Sequence, residues 1–374
     1  MSVAPSPNQS GDMPPKAQRQ PQPQTQSSAL PVASMTLAEV LSLPGPKRLA
    51  WVENVRVLYP LWEQILQTMQ DAHELNPHAA EPQCLMVTGP TGAGKSTLVD
   101  SYAARYPAAY TATGIRRPVA KATVPSKPTV KSLATMILYA LGDPRAAYGT
   151  EGNMTLRIMN LFKACEVEFL ILDEIQHFVD AESTGRVMVN ASNWLKTIIK
   201  ETHMATVLVG LQGDAEQVVN VNPQLGRLFG DPYVLEPFTW DPAVPETITA
   251  FRKLLKVLEL QLPLAKPSHL YSPDIAQRCY VACGGVVGYL MRLIRGATRK
   301  ALAQGSEELN DGLLAAAFDA SLAPERRGVP NPFIGKLPTV GGAKVQSKIR
   351  DLSATSNRSG AKKDRTERVK DVLA

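Results

Sequence analysis

The clearest chemistry in this sequence is a glycine-rich stretch suited to a phosphate group. Residues 89–96 read GPTGAGKS and match G-x-x-x-x-G-K-[ST] at every fixed position. Glycines let backbone N–H groups turn towards a phosphate, a lysine adds a cation, and a helix N-terminus adds partial positive charge. The stretch predicts binding of ATP with Mg²⁺, the ion being held in part by the Ser96 hydroxyl. The predicted nucleotide-binding residues are Gly89, Pro90, Thr91, Gly92, Ala93, Gly94, Lys95, Ser96 and Thr97.

Two adjacent acids follow a second apolar run. Residues 169–174 read FLILDE, which is typical of a buried strand that ends in Asp173 and Glu174. We expect this strand to lie beside the strand that leads into the glycine loop and to bring Asp173 to the magnesium ion. Glu174 is predicted to orient and deprotonate an attacking water. His177, three residues on, is interpreted as a surface or interface histidine rather than a base.

Two further catalytic candidates lie downstream. The run ATVLVGLQ predicts a strand beside the loop strand, and Gln212 at its end is the nearby polar side chain that would sense the γ-phosphate. Arg227 lies in NPQLGRLFGDPY, shortly before the last predicted strand, where an arginine finger for a neighbouring subunit would lie. A finger supplied in trans makes hydrolysis depend on assembly. The predicted catalytic set is Lys95, Asp173, Glu174, Gln212 and Arg227.

The elements that must position these residues alternate along the chain. Strands are predicted at 84–88, 118–125, 167–174, 205–212 and 231–238, with helices between them. Their unalternating apolar character indicates a central parallel sheet covered by helices on both faces. Before the sheet, VENVRVLYPLWEQILQTMQDAHEL carries Val55, Leu58, Trp62, Ile65, Leu66 and Met69 at helical spacing.

Composition divides the chain into five parts. Residues 1–35 are rich in Pro, Gln and Ser and are predicted to be disordered. A helical extension over 36–80, an α/β nucleotide-binding domain over 81–243 and a smaller all-helical lid domain over 244–323 follow. The segment 324–374 is predicted to be a flexible basic tail.

The positive charge is concentrated in two segments. The chain has a net charge of +6, and residues 341–374 alone hold nine Lys/Arg against four Asp/Glu. Between Ser101 and Gly142 there are six Lys/Arg and no acids. Such clusters favour a polyanionic partner, and lysines at a helix start suit phosphates rather than base edges. The predicted DNA-contacting cations are Arg116, Arg117, Lys121, Lys127 and Lys131.

Cysteine usage and hydropathy limit the class of protein. Four cysteines lack the second Cys or His pair of a zinc set, so buried reduced thiols and a cytoplasmic location are expected. No secretory signal and no apolar run long enough for a membrane span are found.

Several motifs together resemble a known family. GPTGAGKST, LILDE, NPQLGRLF and the trailing helical domain look like AAA+ ATPases. RLAWVENVRVLYP, GGVVGYLMRLIRGA and NPF at 331–333 narrow the resemblance to the TniB/TnsC group of transposition regulators, related to the IstB helper ATPases. The resemblance covers residues 37–333.

The resemblance implies a function and partners. A TniB/TnsC-like protein would assemble with ATP as a ring or helical filament around double-stranded DNA in the bacterial nucleoid. It would recruit or activate a DDE transposase of the TniA/TnsB type and meet a TniQ-type target-selection protein, which CRISPR-associated members link to a guide complex. Lys127 and Thr150 would contact the DNA backbone. Many AAA+ proteins carry a sensor arginine at the start of a lid helix. The corresponding position here is Gly288, and Arg292 lies one turn later, so no second sensor residue is assigned.

Three other functions remain open at this point. The protein is alternatively a different DNA-remodelling or loader ATPase, similar to IstB or ORC, or a scaffold that binds ATP with little hydrolysis. A phosphoryl transferase is disfavoured by Glu174 and by the trailing helical domain.

Overall fold

A parallel five-stranded sheet lies at the centre of the structure, a computed structural model that describes residues 35–112, 114–126, 128–180, 185–326 and 328–340. The predicted disordered segment, apart from its last residue, and the basic tail beyond 340 lie outside these residues. The strands are β1 (Cys84–Thr88), β4 (Val119–Thr123), β5 (Phe169–Asp173), β6 (Ala205–Gly210) and β7 (Tyr233–Val234). Their order across the sheet is β4-β5-β6-β1-β7.

The strand order corrects one expectation about the site. β6 pairs with β1 on one side and with β5 on the other, so β5 does not adjoin the loop strand. The prediction that β5 lies beside β1 is therefore wrong, whereas the prediction that β6 lies beside β1 is confirmed. Both β5 and β6 are buried along their whole length, and a buried, mostly apolar strand carries no signal about which neighbour it has.

Helices cover both faces of the sheet. Successive residues of β5 enter different apolar clusters, Phe169 and Ile171 on one face and Leu170 and Leu172 on the other. Side chains of a strand point alternately to opposite faces, which explains why every position of β5 before the terminal acid is apolar. The helices are α1 (Leu37–Leu41), α2 (Gly45–Asn54), α3 (Pro60–Leu75), α4 (Lys95–Ala103), α5 (Val130–Leu141), α6 (Glu151–Ala164), α7 (His177–Asp180), α8 (Arg186–Thr202), α9 (Asp214–Asn220), α10 (Pro223–Phe229), α11 (Pro245–Glu259), α12 (Pro273–Cys283), α13 (Val287–Ala303) and α14 (Asp311–Ser321).

The N-terminal helices join the sheet to the lid, which comprises α11–α14. Arg48 on α2 donates from Nη1 to Glu307 Oε2 at 2.8 Å and also bonds the Pro263 carbonyl of the lid. The predicted helical run is interrupted between α2 and α3, because proline at position 60 begins a new helix. Leu58 lies in this break and is 45% exposed, so its predicted place on an apolar helix face is wrong.

Two short strand features differ from the sequence-based expectations. An antiparallel hairpin of β2 (Ala109–Thr111) and β3 (Gly114–Arg116), absent from the predicted elements, follows α4. The last strand of the sheet, β7, is limited to two residues, although a longer strand over 231–238 was expected. Proline at 232 and 237 brackets this segment and leaves little main chain free to extend the ladder.

The chain after α14 packs onto the lid. Phe333 is buried, and the Arg278 guanidinium on α12 donates to the carbonyl oxygens of Pro332 and Gly335. Asn331 donates to the Ala315 carbonyl at 3.0 Å. The expected start of the flexible tail at 324 therefore falls inside a segment that is held against α12 and α14.

All four cysteines are free and buried. Among the described residues, no helix is both long and apolar enough to cross a membrane.

Candidate nucleotide site

The glycine loop leaves the carboxyl end of β1 and enters α4. Gly92 has φ +80° and Gly94 has φ +96°, a left-handed region where a side chain is strained. Lys95 is the first residue of α4, so the free backbone N–H groups of its first turn face the loop. The structure thus places all nine predicted nucleotide-binding residues on one turn and one helix start.

Lys95 connects this loop to the two acids. Its Nζ donates to the carbonyl oxygens of Gly89 at 2.9 Å and Pro90 at 3.0 Å, and the residue is 8% exposed. Burial lowers the pKa of the Lys95 ammonium below its ordinary value, and the charges of Glu174 and Asp173 partly oppose that shift. The cation and the acid pair therefore act electrostatically on one another within a single site.

The acid pair lies at the carboxyl end of β5. Asp173 is 3% exposed, and its Oδ1 accepts a hydrogen bond from the Glu174 N–H at 2.9 Å. Glu174 has φ +61°, which non-glycine residues seldom adopt. Such a conformation costs about 1–3 kcal/mol and is concentrated at functional sites, where the surrounding structure maintains it. Glu174 is therefore held in a strained geometry directly beside the buried Asp173 carboxylate.

Lys121 belongs to the same site. It lies on β4, next to β5, and its ammonium pairs with Asp100 of α4 and lies 3.5 Å from Asp173 Oδ2. This placement differs from the expected role of Lys121 as a DNA contact, because its charge is already directed at two carboxylates. Sequence spacing carried no sign of this contact, which depends on the pairing of β4 with β5.

The two downstream candidates lie outside the sheet itself. Gln212 lies in the turn that follows β6, one residue after Leu211. Arg227 is in the last turn of α10, and its guanidinium has no hydrogen bond or ion pair to the residues that the structure describes. The strand order places the end of β6 between the ends of β1 and β5, so the Gln212 turn adjoins the loop and the acid pair.

The lid rests directly on the glycine loop. The Gly288 N–H, in the first turn of α13, donates to the Gly92 carbonyl at 2.8 Å. The expected sensor-arginine position thus provides a main-chain contact in place of a cation. Arg292 pairs with Glu325 and lies over the Tyr289 ring, 5.8 Å from its centroid. The contact was not foreseen from the sequence, where only the G-x-x-R pattern drew attention to Gly288.

Trp62 was predicted from the sequence only as a core residue, but it also contacts the glycine loop. Its side chain is 4% exposed and lies against the loop, with its indole nitrogen 3.9 Å from where a Cβ on Gly94 would be. The Nε1–H is buried without a hydrogen-bond partner among the described residues. Buried N–H groups are nearly always satisfied, so this orphan donor beside the loop fits a polar ligand.

The residues present fit a magnesium nucleotide. The loop supplies backbone N–H groups and a lysine for phosphate oxygens, and Ser96 with Asp173 supplies a hydroxyl and a carboxylate. Mg²⁺ prefers such oxygen ligands and retains waters for the remaining positions. The buried cation, the left-handed glycines and the unpaired Trp62 donor are together what a phosphate-rich ligand requires.

The remaining predicted DNA contacts are scattered. Arg116 on β3 pairs with Glu166 at 2.9 Å and with Glu168. Arg117 packs its guanidinium over Gly142, and its Nε is buried without a partner in the described chain. Only two members lie exposed at helix starts, Lys131 on α5 and Thr150, the N-cap of α6. Lys127 lies outside the described residues.

Several solved structures share this fold. The ORC1 protein of Aeropyrum pernix, solved in complex with DNA, is 18% identical, with 72% of this chain and 68% of that chain covered and a TM-score of 0.53. The ORC2 protein of the same organism is 15% identical, with 83% and 84% covered and a TM-score of 0.52. Cdc6p of Pyrobaculum aerophilum is 15% identical, with 73% and 71% covered and a TM-score of 0.51. No curated protein sequence matches the chain significantly.

The parallel sheet, the phosphate loop, the acid pair and the helical lid together form the AAA+ P-loop fold. The bacterial TniB protein family matches residues 48–239, which is more than half of the chain. The chain therefore belongs to the TniB family.

Proposed function

We propose that this protein is an ATP-dependent regulator of DNA transposition that oligomerises on double-stranded DNA and recruits or activates a transposase at the target site. ATP permits the assembly, and hydrolysis controls its disassembly. The observation that carries the proposal is the single site formed by Lys95, Asp173 and Glu174 in a TniB-family AAA+ fold.

The chain's own residues divide the work of hydrolysis. The loop N–H groups and Lys95 bind the phosphates, and Ser96 and Asp173 hold Mg²⁺, which neutralises charge on the phosphate oxygens when bound. Glu174 orients a water and takes its proton. Gln212, in the turn beside the loop, would sense the γ-phosphate of a bound ATP.

Arg227 makes the site a shared one. Its guanidinium, unpaired within the described chain, supports a role as a finger that completes the site of a neighbouring subunit. Arginine fingers contribute about 10³- to 10⁵-fold to hydrolysis. A site completed in this way turns over only in the assembled state.

The proposed DNA contacts are to the backbone. Lys131 and Thr150, exposed at two helix starts, support binding of phosphates without sequence preference, and Lys127 completes the set. The known DNA complex of the ORC1 neighbour is consistent with a nucleic-acid partner for this fold. TniA/TnsB-type transposases and TniQ-type target selectors remain the proposed protein partners.

Phosphate release with and without duplex DNA tests the proposed activity. We expect turnover that DNA stimulates, and we expect Glu174→Gln to bind ATP and remain assembled while phosphate release stops. Absence of turnover under both conditions would favour an ATP-binding scaffold. Normal hydrolysis by Glu174→Gln would show that Glu174 is not the base.

Salt-dependent DNA binding tests the proposed contacts. For the double variant Lys127→Ala, Lys131→Ala, we expect weaker DNA binding. The slope of log K against log salt concentration should be shallower by about two, because each lost phosphate contact contributes roughly 0.9. Lys200→Ala, which removes an exposed lysine at the end of α8, is the matched control. Unchanged binding by the double variant would contradict these contacts.

A further inference from the structure

Gln176 joins the predicted base to the turn that follows β6. The residue is 5% exposed, and its Nε2 donates to the Glu174 carboxylate. Its Oε1 accepts from the Leu211 N–H at 3.2 Å. One amide group therefore bridges the acid pair at the end of β5 and the turn that carries Gln212.

The amide has one orientation that satisfies both partners. An ionised carboxylate only accepts hydrogen bonds, so it requires the NH₂ side of the amide, and the Leu211 N–H only donates, so it requires the oxygen. Reversing the amide would break both bonds. The surroundings also confine it, since a Cβ on Gly210 would lie 3.0 Å from Oε1 and 2.6 Å from Ile175.

The bridge acts on a residue whose backbone is strained. Glu174 is at φ +61°, a sparsely populated backbone conformation that persists where surrounding contacts hold it. The Gln176 donor occupies a lone pair of one carboxylate oxygen and leaves the other oxygen free to accept a proton from water. Hydrogen bonds to ionised groups are among the stronger ones in proteins, which suits this positioning role.

We propose that Gln176 is a positioning residue that holds the Glu174 carboxylate and the Leu211–Gln212 turn in one arrangement. Because of this bridge, the predicted base and the turn that carries Gln212 keep a common geometry. The inference rests on the proposed hydrolysis of ATP and adds a residue that acts through Glu174 rather than on the nucleotide.

Steady-state kinetics of three single variants, each as the full chain with duplex DNA, test the inference. Gln176→Leu removes both hydrogen bonds, whereas Gln176→Glu keeps the length and the acceptor, removes the donor and, when ionised, places a second negative charge beside Glu174. For both, we expect kcat for ATP to fall about 10- to 100-fold while KM changes less than about twofold, because binding is kept and positioning is lost. Gln277→Leu is the control, since Gln277 on α12 donates to the Pro338 carbonyl, far along the chain from the site. It should keep the parent kcat.

Four results would be informative in different ways. If kcat for both Gln176 variants stays within about twofold of the parent while Glu174→Gln is inactive, the positioning inference is overturned and the proposed function stands. A loss confined to KM also overturns it, because that pattern indicates nucleotide binding. If Glu174→Gln itself hydrolyses ATP normally, the proposed base fails first. If Gln176→Leu unfolds, Gln176→Met, an uncharged residue of similar length that also lacks both hydrogen bonds, decides the matter.

Discussion

Replacing Gly288 with alanine tests whether the lid holds the phosphate loop through main-chain contact. The Gly288 N–H lies 2.8 Å from the Gly92 oxygen, and a Cβ at position 288 would lie 2.4 Å from the same atom. Cβ contacts shorter than 3.0 Å are essentially absent from real structures. Helix and loop must therefore separate by roughly 0.6 Å, the difference between this 3.0 Å limit and the 2.4 Å contact. No side chain is available to move aside, because both partners are main chain.

The separation is unfavourable because it weakens the Gly288–Gly92 hydrogen bond and strains the packing around it. A hydrogen bond contributes about 1 kcal/mol net, and overpacking costs about 1–3 kcal/mol, so the variant should lose about 2–4 kcal/mol of lid docking. If half of this loss falls on the loop, affinity for ATP falls about 5- to 30-fold. Urea unfolding followed by circular dichroism measures the first effect, and titration with a fluorescent ATP analogue measures the second.

Gly296→Ala on the same helix is the control. There a Cβ would lie 3.5 Å from the Ala317 Cβ, an ordinary contact, and alanine within a helix is about 0.5–1 kcal/mol better than glycine. The two substitutions should therefore have opposite signs. Parent-like stability and ATP affinity in Gly288→Ala would refute a lid that depends on this contact.

Three more substitutions or treatments have definite expected outcomes. Arg227→Ala should lower DNA-stimulated kcat by about 10³-fold with little change in ATP affinity, and a parent-like rate would exclude the finger. Arg48→Met should lower the free energy of unfolding by about 2–3 kcal/mol, because the partly buried Glu307 loses its partner; an unchanged urea midpoint would contradict this. Burial raises the pKa of the Cys84 thiol to about 12, so at pH 8 the reactive thiolate is scarce and native protein should resist iodoacetamide. Alkylation of Cys84 in native protein as fast as in urea, followed by mass spectrometry, would show that this burial is wrong.

Site residues that are adjacent in the sequence could be predicted from it, whereas contacts between distant segments could not. The loop at 89–96 and the pair at 173–174 could be predicted because their function depends on adjacent residues. The order of β5, β6 and β1 could not, since three mostly apolar strands look alike until they are paired. The position of Lys121 beside Asp173 follows from the pairing of β4 with β5 and could not be predicted without it.

The contacts of the Gln176 and Trp62 side chains could not be predicted from the sequence either. Gln176 lies two residues after Glu174 in DEIQ, a spacing visible in the sequence, but its importance comes from the Leu211 N–H after another strand. Trp62 has the helical spacing of a core residue, and only its position against Gly94 distinguishes it. The break at Leu58 was signalled by the proline at position 60, which a count of helical periodicity ignored.

Electron microscopy of the full chain with duplex DNA and a non-hydrolysable ATP analogue tests assembly on DNA most directly. Rings or helical filaments should form only when both DNA and nucleotide are present, and Lys95→Ala should abolish them because the phosphates lose their cation. Isolated monomers with both ligands present, or equal assembly by Lys95→Ala, would contradict ATP-permitted oligomerisation.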